Sequence, residues 1–175
     1  KDAAVKSMHN ILLAHGKSLS RMRDYNHKNL GIVLNKNYCQ PYNNSDESIE
    51  ATSICDEIYN LWFDEALFNG KYPKKTLNIF EKYMPKEFED DLFEISKPID
   101  WIGINYYTRS LVDYDKNDKF VKFKQKRGNL EVTDMGWEIF PEGLEFLLNR
   151  LKSHYSKNIP IHITENGMAR NDKLE

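Results

Sequence analysis

Cysteine is nearly absent from this chain. Cys39 and Cys55 are the only two in 175 residues, too few for a disulfide framework and at no metal-ligand or Cys-x-x-Cys spacing. The expectation is two thiols in a reduced, cytoplasmic compartment. The 5 histidines are dispersed, with no third ligand at metal-site spacing, so neither a metal nor another cofactor is expected. No apolar run approaches the roughly 18 residues of a membrane span. No arginine-rich run exists either. The 25 Lys+Arg against 27 Asp+Glu leave a net charge of -2, which argues against nucleic acid as the main partner. A signal peptide and an initiator start are also missing, because the chain opens Lys1-Asp2-Ala3-Ala4 and its first methionine is Met8. The stretch is therefore expected to be part of a longer protein. What is present is core-forming: 40% hydrophobic and 13% aromatic residues exclude a disordered chain.

Along the sequence, helical and strand patterns alternate. Val5, Met8, Leu12, Leu19 and Met22 recur at near-heptad spacing, predicting a helix that ends near Asn26–Asn29. Gly31-Ile32-Val33-Leu34-Asn35 suits a strand buried on both faces. After a loop at Asn43–Asp46, Asn44 and Glu47 resemble a capping box. A helix follows with Ala51, Ile54, Ile58, Leu61 and Trp62 on one stripe, stopped by Asn69-Gly70 and Pro73. The charged stretch from Lys74 to Lys97 predicts short helices broken at Pro85. Ile99 to Tyr107 is strand-like, rich in Ile and aromatics. Two β-like pieces, Leu111–Tyr114 and Phe120–Phe123, predict a hairpin excursion. Pro141 opens a helix whose stripe is Leu144, Leu147, Leu148, Leu151 and Tyr155. Ile159 to Glu165 reads as a last strand, turned by Asn166-Gly167. No internal repeat or flexible linker divides the chain.

Strands alternating with helices imply a parallel α/β sheet, either doubly wound or part of a (β/α)8 barrel. Period-two alternation aligns Gly31, Val33 and Asn35 in the first strand. It aligns Trp101, Gly103, Asn105 and Tyr107 in the second, and Ile159, Ile161, Ile163 and Glu165 in the third. Each strand thus reaches its C-terminal end with a polar group, where parallel α/β proteins bind ligands. A carboxylate beside Asn and Tyr suits recognition of a polyol or sugar. Trp137, on a glycine-hinged loop, offers a ring face for stacking on a sugar, or alternatively a core tryptophan.

Five segments, in one order, resemble glycoside hydrolase family 1, the β-glucosidases and their relatives. They are His9 to Lys17, Gly31 to Asn35, Asp100 to Tyr107, Met135 to Leu144, and Ile163-Thr164-Glu165-Asn166-Gly167. The resemblance covers essentially the whole chain. It implies a partial (β/α)8 TIM barrel, about three βα units with the β-hairpin excursion, running from the fourth helix to the seventh strand. It also implies a retaining β-glycosidase, with a small-molecule β-glycoside or oligosaccharide as substrate. Glu165 would be the nucleophile and Tyr107 its hydrogen-bond donor. Asn105 would lie in the sugar site, Trp137 on the aglycone side, and Asn35 where the fifth strand enters the cleft.

One departure stands out. Retaining hydrolysis needs two carboxyl groups about 5–5.5 Å apart, and the family's acid/base sits in an Asn-Glu-Pro motif that does not occur here. That motif is expected upstream of Lys1. Asp134, Glu138 and Glu142 match loop or helix-entry positions and are not expected to replace it. By itself the chain is thus expected to be inactive, and its open sheet edges to favour aggregation. A 6-phospho-β-glycosidase and a non-catalytic sugar-binding relative are the alternatives. Nothing in the sequence sets an oligomeric state.

Overall fold

The computed structural model describes residues 1–156 and 158–172. Helix α1 (Asp2–Asp24) buries Val5, Leu12 and Leu19 to 2% exposure or less, as its periodicity predicts. Asp2 in its first turn and Arg21 and Arg23 in its last complement the helix dipole. Gly16 permits close helix packing, since a Cβ there would stand 2.2 Å from the Glu94 carbonyl oxygen.

Strand β1 (Gly31–Pro41) runs longer than its apolar run. It is not buried on both faces: Leu34 and Lys36 are buried, while Val33 is 41% exposed. Helix α2 (Asp46–Asp56) is capped by Ser45, whose hydroxyl accepts from Ser48 N, at 3.2 Å. The cap is therefore one residue later than the Asn44/Glu47 pairing predicts; Asn43 instead accepts from Ser45 N at 2.9 Å. A π-helical turn (Glu57–Leu61) joins α2 to α3 (Trp62–Asn69), which ends on Gly70 at φ 59°, a left-handed cap that glycine adopts without strain. The extra residue of the π turn rotates the expected stripe. Cys55, Asn60 and Trp62 are fully buried, whereas Ile54, Ile58 and Leu61 are only partly so.

Short helices α4 (Lys74–Phe80) and α5 (Leu92–Ile95) flank Pro85. Strand β2 (Trp101–Tyr114) is the spine. It pairs in parallel with β1 along one edge. Its other edge is shared by β4 (Ile161–Glu165), parallel, and β3 (Phe123–Lys126), antiparallel. The hairpin excursion is therefore the upper half of β2 returning as β3, slightly later than expected. Helix α6 (Pro141–His154) buries Leu147 and Leu151.

The core lies on one side of the sheet. Leu34, Ile102 and Ile104 pack with Val5, Leu12, Trp62 and Leu151, so the helices cover a single face. That arrangement is the wall of a (β/α)8 barrel rather than a doubly wound sheet. No described helix is long and apolar enough to cross a membrane.

Two polar features sit among these layers. Behind β1, Lys36 and Asp64 form an ion pair at 0% and 1% exposure, and Arg150 binds Asp56 in two places, at 2.7 and 3.1 Å. Cys39 and Cys55 are free thiols whose sulfurs touch at 3.4 Å. Their mutual hydrogen bond and burial push the Cys39 thiol far up from its ordinary value.

Candidate active site

The polar residues predicted as strand tips meet in one row, although β1 and β2 continue beyond Asn35 and Asn105 to Pro41 and Tyr114. Asn35 of β1 pairs in register with Asn105 of β2, and Asn105 pairs with Glu165 of β4. Partners in parallel register share a face, so amide, amide and carboxylate stand side by side.

The row depends on an irregularity. Ile104 pairs with Ile163, yet Asn105 pairs with Glu165, so Thr164 is an extra residue in β4. Simple alternation groups Glu165 with Ile161 and Ile163; the bulge instead turns it onto the face of Asn105. Thr164 is held by its hydroxyl, which donates to Asn105 Oδ1 at 2.7 Å and lies 3.1 Å from the Ile104 carbonyl. Its methyl rests on Gly103. A Cβ at Gly103 would come within 2.8 Å of Thr164 Cγ2 and 2.9 Å of Val33 Cγ2, so no side chain fits beneath the bulge.

Tyr107, two residues past Asn105, donates its phenolic hydrogen to Glu165 Oε2. That bond, followed by desolvation and the carboxylate's charge, raises the phenol from its ordinary value. The hydroxyl therefore stays protonated as a donor. The turn after Glu165 is pinned by Asn166, whose amide donates to the Tyr106 carbonyl at 2.7 Å; alternation along β4 does not single this residue out.

Trp137 is 39% exposed and lies 5.7 Å from the Tyr107 ring, tilted by 54°. It is a wall residue rather than a core tryptophan. With Asn35 and Tyr107 it lines a cavity of about 580 Å³. Asn105 and Glu165 do not line that cavity; they lie on the exposed sheet face to which Tyr107 connects it. Asn37 lines it too, with Oδ1 buried and unpartnered among the described residues. Its spacing of two from Asn35 was the available sign that it shares that end of the strand.

Of the other carboxylates, Glu138 is fixed by Arg109 at 2.8 Å, which holds it below the usual carboxylate range. An acid that must carry a proton at neutral pH needs the opposite shift. Among the described residues no group of three His, Cys, Asp or Glu is placed to hold a metal ion.

Fold and site together define an α/β protein built on part of a parallel (β/α)8 barrel, with a carboxylate and two amides at the mouth. The sequence matches the Glycosyl hydrolase family 1 profile over residues 1–175, and the chain belongs to that family. It is 37% identical to the 1,4-beta-D-glucan glucohydrolase of Thermotoga neapolitana over 97% of this chain and 40% of that protein. Identity with the 6-phospho-beta-galactosidase of Clostridium acetobutylicum is 30%, over 98% of this chain and 42% of the relative. The solved structure of the family 1 b-glucosidase from Thermotoga maritima superposes with a TM-score of 0.91 at 32% identity, covering 99% of this chain and 39% of that one. A beta-glucosidase from Thermotoga maritima in complex with deoxynojirimycin gives a TM-score of 0.90 at 34% identity, covering 99% of this chain and 39% of that one. The chain thus spans about 40% of the length of the first of these relatives.

Proposed function

We propose that this chain carries the nucleophile side of a retaining β-glycosidase active site, within a longer hydrolase. The observation that carries the proposal is the row Asn35–Asn105–Glu165 with Tyr107 bonded to its carboxylate. In this reading Glu165 attacks the anomeric carbon as the bond to the aglycone oxygen breaks, giving a covalent glycosyl-enzyme. A second carboxyl group, contributed by another segment, protonates the departing oxygen. It then takes a proton from water, which attacks the same carbon and releases Glu165. Tyr107 orients the nucleophile, Asn105 and Asn35 bind sugar hydroxyls, and Trp137 forms the aglycone wall. These residues alone do not suffice for turnover.

The substrate proposed is a small β-glucoside or β-linked oligosaccharide, in keeping with the glucohydrolase and β-glucosidase names of the relatives at 36–37% identity. The match to a 6-phospho-beta-galactosidase keeps a phosphorylated glycoside as the second reading. The pair of free thiols favours a reducing, cytoplasmic setting.

The test uses the full-length hydrolase and a 2-deoxy-2-fluoro-β-glucoside. A covalent label on the peptide containing Glu165, abolished by Glu165→Gln, is expected. Labelling of another carboxylate overturns the assignment. An absence of labelling, with retained sugar binding and no Asn-Glu-Pro motif in the full-length sequence, identifies a sugar-binding relative instead.

A further inference from the structure

We infer that Arg109 and Glu138 are positioning residues that set the Trp137 wall and thereby select the aglycone; the inference rests on the β-glycosidase reading above. Trp137 lies on a stretch with little regular structure, where the only β-bridge among the described residues joins Val132 and Glu138. Within the loop the Trp137 carbonyl accepts from Thr133 N at 2.9 Å, and side-chain tethers fix that turn against the sheet.

Those tethers converge on Glu138, the next residue. Arg109 Nε donates to Glu138 Oε2 at 2.8 Å. The other carboxylate oxygen accepts from Leu130 N at 3.0 Å, closing the loop on itself. The Thr108 hydroxyl donates to the Glu138 carbonyl at 2.8 Å. Arg109 reaches further, donating from Nη1 to Gln40 Oε1 of β1 at 2.7 Å. Its guanidinium also lies 4.8 Å from the centre of the Phe140 ring. Gly128, at the exit of the hairpin, leaves room for the carboxylate: a Cβ there would stand 2.1 Å from Glu138 Oε1. One ion pair thus ties β1, β2, the hairpin exit and the tryptophan loop together.

The pair is largely buried, at 8% and 11% side-chain exposure, though both residues line the cavity with Trp137, so loss of one partner leaves a mostly buried charge behind. Arg109 and Thr108 directly follow Tyr107, whose ring faces Trp137. Loss of the pair therefore shifts the Trp137 ring relative to Tyr107 while leaving Glu165, paired with Asn105 on the β4 edge of β2, in register. The chemistry supplies a clean separation. Glycosylation occurs with the aglycone present, whereas hydrolysis of the glycosyl-enzyme occurs after it has left.

The experiment compares full-length enzyme with its Arg109→Met and Glu138→Gln variants on an aryl β-glucoside and on β-glucosyl fluoride. The fluoride shares the sugar but presents no body to Trp137. Glu138→Gln keeps the side-chain volume and one of the two carboxylate bonds, and so remains informative if Arg109→Met does not fold. We expect kcat/KM for the aryl glucoside to fall on the order of tenfold more than for the fluoride, a misplacement effect. Turnover of the 2-fluoroglucosyl-enzyme by water should stay unchanged. Equal losses on both substrates, or slowed turnover of the intermediate, would show a merely structural ion pair. Failure to label Glu165 in the unmodified enzyme overturns both readings. Labelling with an unchanged aryl-to-fluoride ratio overturns this one alone.

Discussion

The Lys36–Asp64 pair balances a large desolvation cost against a close attraction. Both side chains are buried, at 0% and 1% exposure, and Asp64 Oδ2 has no partner among the described residues. Desolvation outweighs the attraction of Asp64, so the Lys36 ammonium is held below the ordinary lysine range. Removing one partner leaves the other charge buried alone, a loss of about 3–5 kcal/mol for Asp64→Leu, with Lys36→Met of the same order. Replacing both by apolar groups of similar volume should be neutral, or stabilising by about 1–4 kcal/mol. The double-mutant cycle should therefore show a coupling of at least ~6 kcal/mol, twice the upper end of ~3 kcal/mol usual for neighbouring residues. Urea unfolding of the full-length protein and the three variants measures it. The pH dependence supplies an independent sign. A lysine depressed in the folded state sheds its proton there first. Between that lowered value and about 10.4 the unfolded state holds more protons, and stability rises with pH. Asp64→Leu, with Lys36 depressed further, should regain part of its loss as pH climbs through that window, and the double variant should not. A loss below about 1 kcal/mol for Asp64→Leu, or a double variant as unstable as either single one, would refute the desolvation argument.

Two further outcomes are expected. Tyr107→Phe removes the donor to Glu165 and should lower kcat/KM on the order of tenfold, the scale of a hydrogen bond to a charged group, while the fluoroglycoside still labels Glu165; an unchanged rate would mean that the bond has no part in catalysis. Because the Cys39 thiol is pushed up by its bond to Cys55 and by burial, little thiolate forms at neutral pH. Iodoacetamide should therefore alkylate the native protein at this position far more slowly than the urea-unfolded chain, and equal rates would contradict the buried contact.

The helices and the row of polar strand residues were legible because their signals are periodic and local. Leu147 and Leu151 are buried where their stripe places them, and Glu165 ends β4, whereas β1 and β2 run on past Asn35 and Asn105 to Pro41 and Tyr114. Three insertions were not legible, because each breaks the period from which the rest was read. Thr164 is an extra residue in β4, and it alone brings Glu165 to the face of Asn105. The only local sign of it was Gly103, a glycine inside a strand that marks a close approach. A second register shift sets Asn37 of β1 against both Tyr107 and Thr108, so here the extra residue lies in β2; Asn37 lies at the cavity. The third is the π turn at Glu57–Leu61, which carries Asn60 inward to full burial. The last two irregularities satisfy each other. Asn37 N donates to Asn60 Oδ1 at 3.1 Å, and Asn60 Nδ2 donates to the Asn37 carbonyl at 2.7 Å. A bulge leaves its backbone groups unpaired in the sheet, and a π turn re-aims one side chain of a helix. Here the re-aimed amide pairs both backbone groups of Asn37, the residue opposite the bulge. The π turn and the bulge are thus joined through one side chain, and Asn37 lines the cavity together with Asn35.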